Sequence, residues 1–188
     1  MKKILLHACC APCSSAIIEW LQQEQCDFSI FFFNPNIYPE EEYLIRKNEI
    51  VKHAAKNNIT IYDRDDTSSW ECKHEIWREQ MKGLEDEPER GARCYECFKH
   101  RLTATALFAA AHDFDTITST LASSRWKDFK QILRAGSEAV ANTPNVEFWD
   151  KNWRKGGLYE RRNILAKQFY NQQYCGCEFS IDHSRYIK

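Results

Sequence analysis

The sequence predicts an α/β fold: a parallel sheet of about five strands with helices on both faces. Two observations predict it. Short apolar or β-branched runs alternate with amphipathic helical stretches along all 188 residues, the order that builds parallel sheets through helical crossovers. One of those runs, Phe28-Ser29-Ile30-Phe31-Phe32-Phe33, is apolar at every position but Ser29, as a strand covered on both faces requires.

The elements follow in order. Residues 3–8 are the first strand. Residues 14–25 carry Ala16, Ile17, Trp20 and Leu21 on one helical face. Residues 28–33 are the second strand, broken by Asn34-Pro35-Asn36. A helix over 39–57 opens with Pro39 and three glutamates, both favoured at helix starts. Ile59–Tyr62 is the third strand, 68–82 a helix, and 83–93 a polar loop. An alanine-rich helix over 95–111 precedes the fourth strand, Asp115–Leu121, whose β-branched content suits a sheet. Residues 127–141 are helical, Val146–Trp149 is the fifth strand, and 158–171 is the last helix. No repeat or linker interrupts the chain, so one α/β domain over 1–188 is expected, its cysteine-containing tail (172–188) folding back towards the first loop.

Lysines and arginines number 26 against 27 acidic residues. No global basic excess announces nucleic acid, and any such contact must rest on a local patch. Met1-Lys2-Lys3 leads into only a few apolar residues, and no window approaches ~20 apolar residues. The expectation is a cytoplasmic protein with no membrane partner.

Nine cysteines in such a chain need a reason other than disulfides. Seven fall in tight groups: Cys9, Cys10 and Cys13; Cys94 and Cys97; Cys175 and Cys177. The first group lies between a strand and a helix start, where α/β proteins place their chemistry and where helix amides favour thiolates. Cys26 and Cys72 stand alone and read as packing residues. Two C-x-x-C pairs would suit a structural zinc, and Cys10-Ala11-Pro12-Cys13 alone would suit a dithiol oxidoreductase. Seven thiolates exceed the four that one zinc takes, and they match an iron–sulfur cluster beside a second metal or a redox pair.

The spacing H-x-C-C-x-P-C (His7 to Cys13), R-C-x-x-C (Arg93 to Cys97) and Y-C-G-C (Tyr174 to Cys177), together with FFFNPNIYPEEEY and TSTLASSRWKD, resembles QueH-type epoxyqueuosine reductases over essentially the whole chain. The resemblance implies a Rossmann-like, HUP-type sandwich and reduction of epoxyqueuosine to queuosine in the anticodon loop of tRNA with a GUN anticodon. It implies a [4Fe–4S] cluster, an adjacent mononuclear metal, expected to be iron, and an unidentified electron donor. The metal positions carried over are Cys9, Cys10, Cys13, Cys94, Cys97, Cys175 and Cys177. Cys10, Cys94 and Cys175 or Cys177 are assigned to the cluster, and Cys9, Cys13 and one of the remaining cysteines to the lone metal. HUP-type ATP pyrophosphatases carry a Ser/Gly-rich phosphate loop after the first strand. HACCAPC stands there instead, so no ATP chemistry is expected.

Epoxide deoxygenation requires two electrons, two protons and a Lewis acid for the oxygen. The catalytic candidates are His7, Cys13 and Tyr38, with Tyr95 and Glu96 as further proton donors. For the RNA, stacking aromatics and cations are required. Arg125, Trp126 and Lys127 follow the fourth strand, and Lys151, Trp153, Arg154, Lys155, Arg161 and Arg162 form a second basic, aromatic stretch. Arg154 and Lys155 are its expected phosphate contacts. The rival readings are a zinc-stabilised HUP-like nucleotide- or RNA-binding module and a dithiol oxidoreductase.

Overall fold

A computed structural model describes residues 2–65 and 67–181. Five strands, β1 (Lys3–His7), β2 (Asp27–Phe31), β3 (Ile61–Tyr62), β4 (Thr116–Ser119) and β5 (Glu147–Phe148), form one sheet in the order β3-β2-β1-β4-β5. All four pairings are parallel. The helices are α1 (Ala11–Gln23), α2 (Glu40–Lys56), α3 (Trp70–Gln80), α4 (Ala92–Ala111), α5 (Phe129–Ala141) and α6 (Leu158–Leu165). They pack as two groups, α1 with α2 and α6, and α4 with α3 and α5. Right-handed crossovers place these groups on opposite faces.

The chain winds β1, β2, β3 one way, then crosses back to add β4 and β5 beyond β1. The carboxyl ends of β1 and β4 are therefore the switch point where such sheets open a crevice. His7 is the last residue of β1, in register with Phe31 and Ser119. Leu5, Leu6, Ile30, Phe31 and Ile117 fill the sheet core without exposure.

The structure departs from the sequence reading at several ends. α1 begins at Ala11, not Ser14, because Pro12 sits in its first turn and Cys10 caps it; proline there loses no intrahelical hydrogen bond. The fourth strand ends at Ser119, not Leu121: Thr120 and Leu121 belong to a 3₁₀ turn over Thr120–Ser123, started by Ser119 Oγ accepting from Leu121 N (3.2 Å). α6 stops at Leu165 and tightens to a 3₁₀ turn over Ala166–Gln168. Beyond it the tail recrosses the molecule, and the Tyr38 N–H donates to the Gly176 carbonyl (2.9 Å). The tail's last residues, 182–188, lie outside the described residues.

Candidate metal centre and active site

The β1–α1 loop places its sulfurs by backbone geometry. Cys10 is extended at the α1 N-cap, and Cys13 sits in the first turn, where unpaired amides stabilise negative charge. The Cys9 N–H donates to Thr120 Oγ1 (3.1 Å), whose hydroxyl donates to Cys9 Sγ (3.3 Å). Cys9 and Cys10 Sγ are 3.7 Å apart, and the Cys9, Cys10 and Cys13 sulfurs lie within 4.8 Å of one another. All three residues are buried and could share a metal ion.

A second sulfur neighbourhood faces them. Cys94 and Cys97 lie one helical turn apart near the start of α4, on one face. Cys97 and Cys177 pack together with Trp77 and Met81, with Cys175 against them. The Cys177 N–H donates to Cys175 Sγ (3.4 Å), and the Arg90 N–H to Cys94 Sγ (3.3 Å). Cys9, Cys13, Cys94, Cys97, Cys175 and Cys177 line one cavity of about 330 Å³, and the Cys10 sulfur lies 3.7 Å from that of Cys9. None of the nine cysteines is in a disulfide. The expected grouping of Cys10 with Cys94 and Cys175 or Cys177 cuts across these two neighbourhoods.

The thiols are not equivalent. Hydrogen bonds from Cys10 and Cys9, backed by Arg162 and Lys127, hold Cys13 well below its ordinary pKa despite burial. Cys10, which gives up that negative charge, is pushed well above it. The tail repeats the split. The Cys177 hydrogen bond, then Lys127, lowers Cys175, while Cys177 is raised by its bond to Cys175 and by burial. Burial pushes Cys94 up to about 11. One thiolate is thus favoured in each neighbourhood, and Lys127 faces both. Desolvation works against its ammonium, but Cys9, Cys13 and Cys175 outweigh it and the pKa stands above the ordinary lysine value.

Cations dominate the wall: Arg46, Arg90, Arg93, Arg101, Lys127 and Arg162, against Glu89. Arg162 Nη2 donates to Cys13 Sγ (3.6 Å). Arg93 holds the Leu84 and Glu85 carbonyls and Ser180 Oγ, tying the loop before α4 to the tail. Arg101 donates to Asn34 Oδ1, and Asn34 Nδ2 donates to the Ala8 carbonyl (2.9 Å). Arg46 and Arg101 fall on buried helical faces, where an unpaired charge is costly. That placement was a readable signal, and the sequence reading missed it.

The other predicted residues divide. Trp126 and Lys127 line the cavity; Arg125 is exposed, its guanidinium 4.7 Å over the Trp126 ring. Arg90 pins this loop by donating to the Arg125 and Trp126 carbonyls, and Arg154 Nη2 by donating to that of Lys127 (2.8 Å). Lys155 is exposed. Trp153 is not a stacking platform: it is buried against Trp20 and Trp149, its Nε1 donating to Thr118 Oγ1, with the Lys151 ammonium over all three rings. Arg161 is paired with Glu19. His7 is fully buried, with Nδ1 2.8 Å from Ser119 Oγ and Nε2 3.2 Å from the Phe33 carbonyl. The carbonyl can only accept, which assigns the proton to Nε2. Desolvation, then Arg101, drives this imidazole well below its ordinary pKa. Tyr38 lies outside the cavity wall, its ring stacked on His74 (5.5 Å), and Tyr95 and Glu96 are not among the lining residues.

Fold and site together define a Rossmann-like α/β protein with a thiol-rich centre at the switch point of its sheet. The sequence model of the family "Epoxyqueuosine reductase QueH" matches residues 4–183. A protein of that description from Acinetobacter baylyi is 46% identical over 182 residues, which cover 95% of this chain and 80% of that protein. One from Histophilus somni is 45% identical (95% and 72%), and one from Thermotoga maritima 33% (96% and 91%). The chain belongs to the QueH family of epoxyqueuosine reductases, which are oxidoreductases.

Proposed function

We propose that this protein reduces epoxyqueuosine to queuosine in the anticodon loop of tRNA. In this reading a [4Fe–4S] cluster and an adjacent mononuclear iron are held by Cys9, Cys10, Cys13, Cys94, Cys97, Cys175 and Cys177. The observation that carries it is the convergence of six of these thiols, distant in sequence, on one cavity, with the Cys10 sulfur 3.7 Å from that of Cys9. Soft thiolate donors select iron–sulfur or zinc centres, and seven exceed the four of one zinc. The residues present therefore fit the group. When bound, that centre would supply one-electron transfer and a Lewis-acidic iron for the epoxide oxygen.

The chain's own groups have separate tasks. Lys127 and Arg162 hold the negative charge of Cys13 and Cys175. Opening of the epoxide to an alkene and water takes up two electrons, supplied by an external electron donor, and two protons. His7, engaged at both nitrogens, fixes the ends of β1 and β4. Tyr38, whose N–H holds the Gly176 carbonyl, positions the Cys175-Gly176-Cys177 turn. Arg125, Trp126 and Lys127 meet the RNA at the cavity, with Lys155 on a phosphate. A tRNA substrate would place the protein in the cytoplasm, and no helix among the described residues is long and apolar enough to cross a membrane.

The test is iron and sulfide analysis of protein purified without oxygen, with turnover of tRNA carrying the epoxide. More than ~4 irons per chain are expected. Fully active protein holding a single zinc and no sulfide would end the proposal. A dithiol oxidoreductase built on Cys10 and Cys13 would keep activity in Cys94→Ser; the proposal requires its loss.

A further inference from the structure

The segment Asn34-Pro35-Asn36 holds two asparagines with different tasks. Asn34 is spent on the fold, between Ala8 and Arg101. Asn36 is only 3% exposed, lines the cavity, and its Oδ1 has no hydrogen-bond partner. Gln172, which lines the same cavity, donates through Nε2 to Cys10 Sγ (3.1 Å), and its Oε1 likewise lacks a partner. Native structures rarely leave such acceptors unmet, so each demands an explanation. The cavity also holds donors in the same condition, the Nε groups of Arg101 and Arg162. The cavity therefore offers two unmet carboxamide acceptors and unmet cationic donors.

Of the four bases, only a guanine-type edge is the complement. It carries two donors, N1–H and the 2-amino group, and one acceptor, O6. Adenine and cytosine each have one donor group on that edge, and uracil has one donor flanked by two acceptors. Enzymes that act on a base commonly extrude it and read this edge inside the pocket.

We infer that Asn36 and Gln172 form the seat for the Watson–Crick edge of a guanine-type base, making them specificity-determining residues. This rests on the proposed tRNA substrate and goes beyond it by naming what selects the nucleotide.

The test uses full-length, anaerobically purified holoprotein and unmodified anticodon stem-loops that differ only at the wobble base: guanine, inosine, which lacks the 2-amino group, or adenine. Wild type should bind the guanine loop about tenfold more tightly than the inosine loop, the size of one neutral hydrogen bond with its unmet partner. Asn36→Leu should bring that ratio close to one with iron content and visible spectrum unchanged. Asn36→Asp keeps an acceptor and should retain the preference, and it decides the matter if Asn36→Leu fails to fold. Equal binding of guanine and inosine loops by wild type, or an undiminished ratio in Asn36→Leu, would overturn the inference and leave the tRNA reading standing. Failure to bind any loop would instead overturn the tRNA reading, and this inference with it.

Discussion

Arg46 Nη1 donates to the Cys175 carbonyl at 3.2 Å, joining α2 to a residue 129 positions later. Nη2 reaches the Tyr174 carbonyl at 3.2 Å, and the same guanidinium is ion-paired with buried Glu42 at 2.6 Å. One buried charge pair thus clamps the backbone that delivers two of the seven thiols. Arg46→Met should cost about 3–5 kcal/mol, because it leaves the Glu42 carboxylate buried without its partner. Urea unfolding measures the loss. Glu42→Gln together with Arg46→Met should recover part of it.

Gly176 sits in the same clamp with φ +104°, a backbone conformation that side chains rarely adopt. A Cβ there would stand 3.0 Å from Arg46 Nη1 and 3.0 Å from Ile37 Cγ1. Gly176→Ala should therefore cost about 1–3 kcal/mol and loosen the tail. With iron removed, Cys175 and Cys177 should react faster with an aromatic disulfide reagent than in the parent protein. Unchanged thiol kinetics would show that the turn tolerates a side chain.

The cysteine grouping and the alternation of strands and helices were legible because each is a local pattern: fixed spacing in one case, periodicity in the other. The sheet order was not, since the return of β4 to the far side of β1 depends on packing between distant segments. Trp153 misled because a tryptophan among Lys151, Arg154 and Lys155 looks exposed in sequence, whereas Lys151 lies across a buried tryptophan cluster. Arg154 has a contact that its charge did not reveal: its guanidinium donates to the Lys127 carbonyl. His7 adjoins the cysteines in sequence yet points between β2 and β4, a direction set by strand register.

Stability should fall as the solution is acidified below pH ~6.5. Burial, then the Arg101 charge, lowers His100 from 6.5 to about 4, and His7 shifts the same way. Between those values the unfolded chain binds protons that the folded one refuses, so stability rises with pH. The contribution is complete above about 6.5 and is lost as pH falls towards 4, on the order of 3 kcal/mol for His100. Melting curves from pH 7.5 to 4.5 should show this slope. His100→Phe should reduce it and leave the His7 share.

Arg154 and Lys155 adjoin in sequence but should separate in a salt titration of tRNA binding. Lys155 is exposed, and its removal should weaken binding to every tRNA alike. Neutralising one phosphate contact lowers the slope of log affinity against log salt by about 0.7–0.9. Arg154 acts through the carbonyl of Lys127, so Arg154→Ala should leave that slope unchanged. It should lower turnover instead, because the Lys127 ammonium opposite Cys13 and Cys175 loses its anchor. If Arg154→Ala flattened the salt dependence as much as Lys155→Ala, the guanidinium would be a phosphate contact after all, and the anchoring of Lys127 would fall to Arg90 and the adjoining backbone alone.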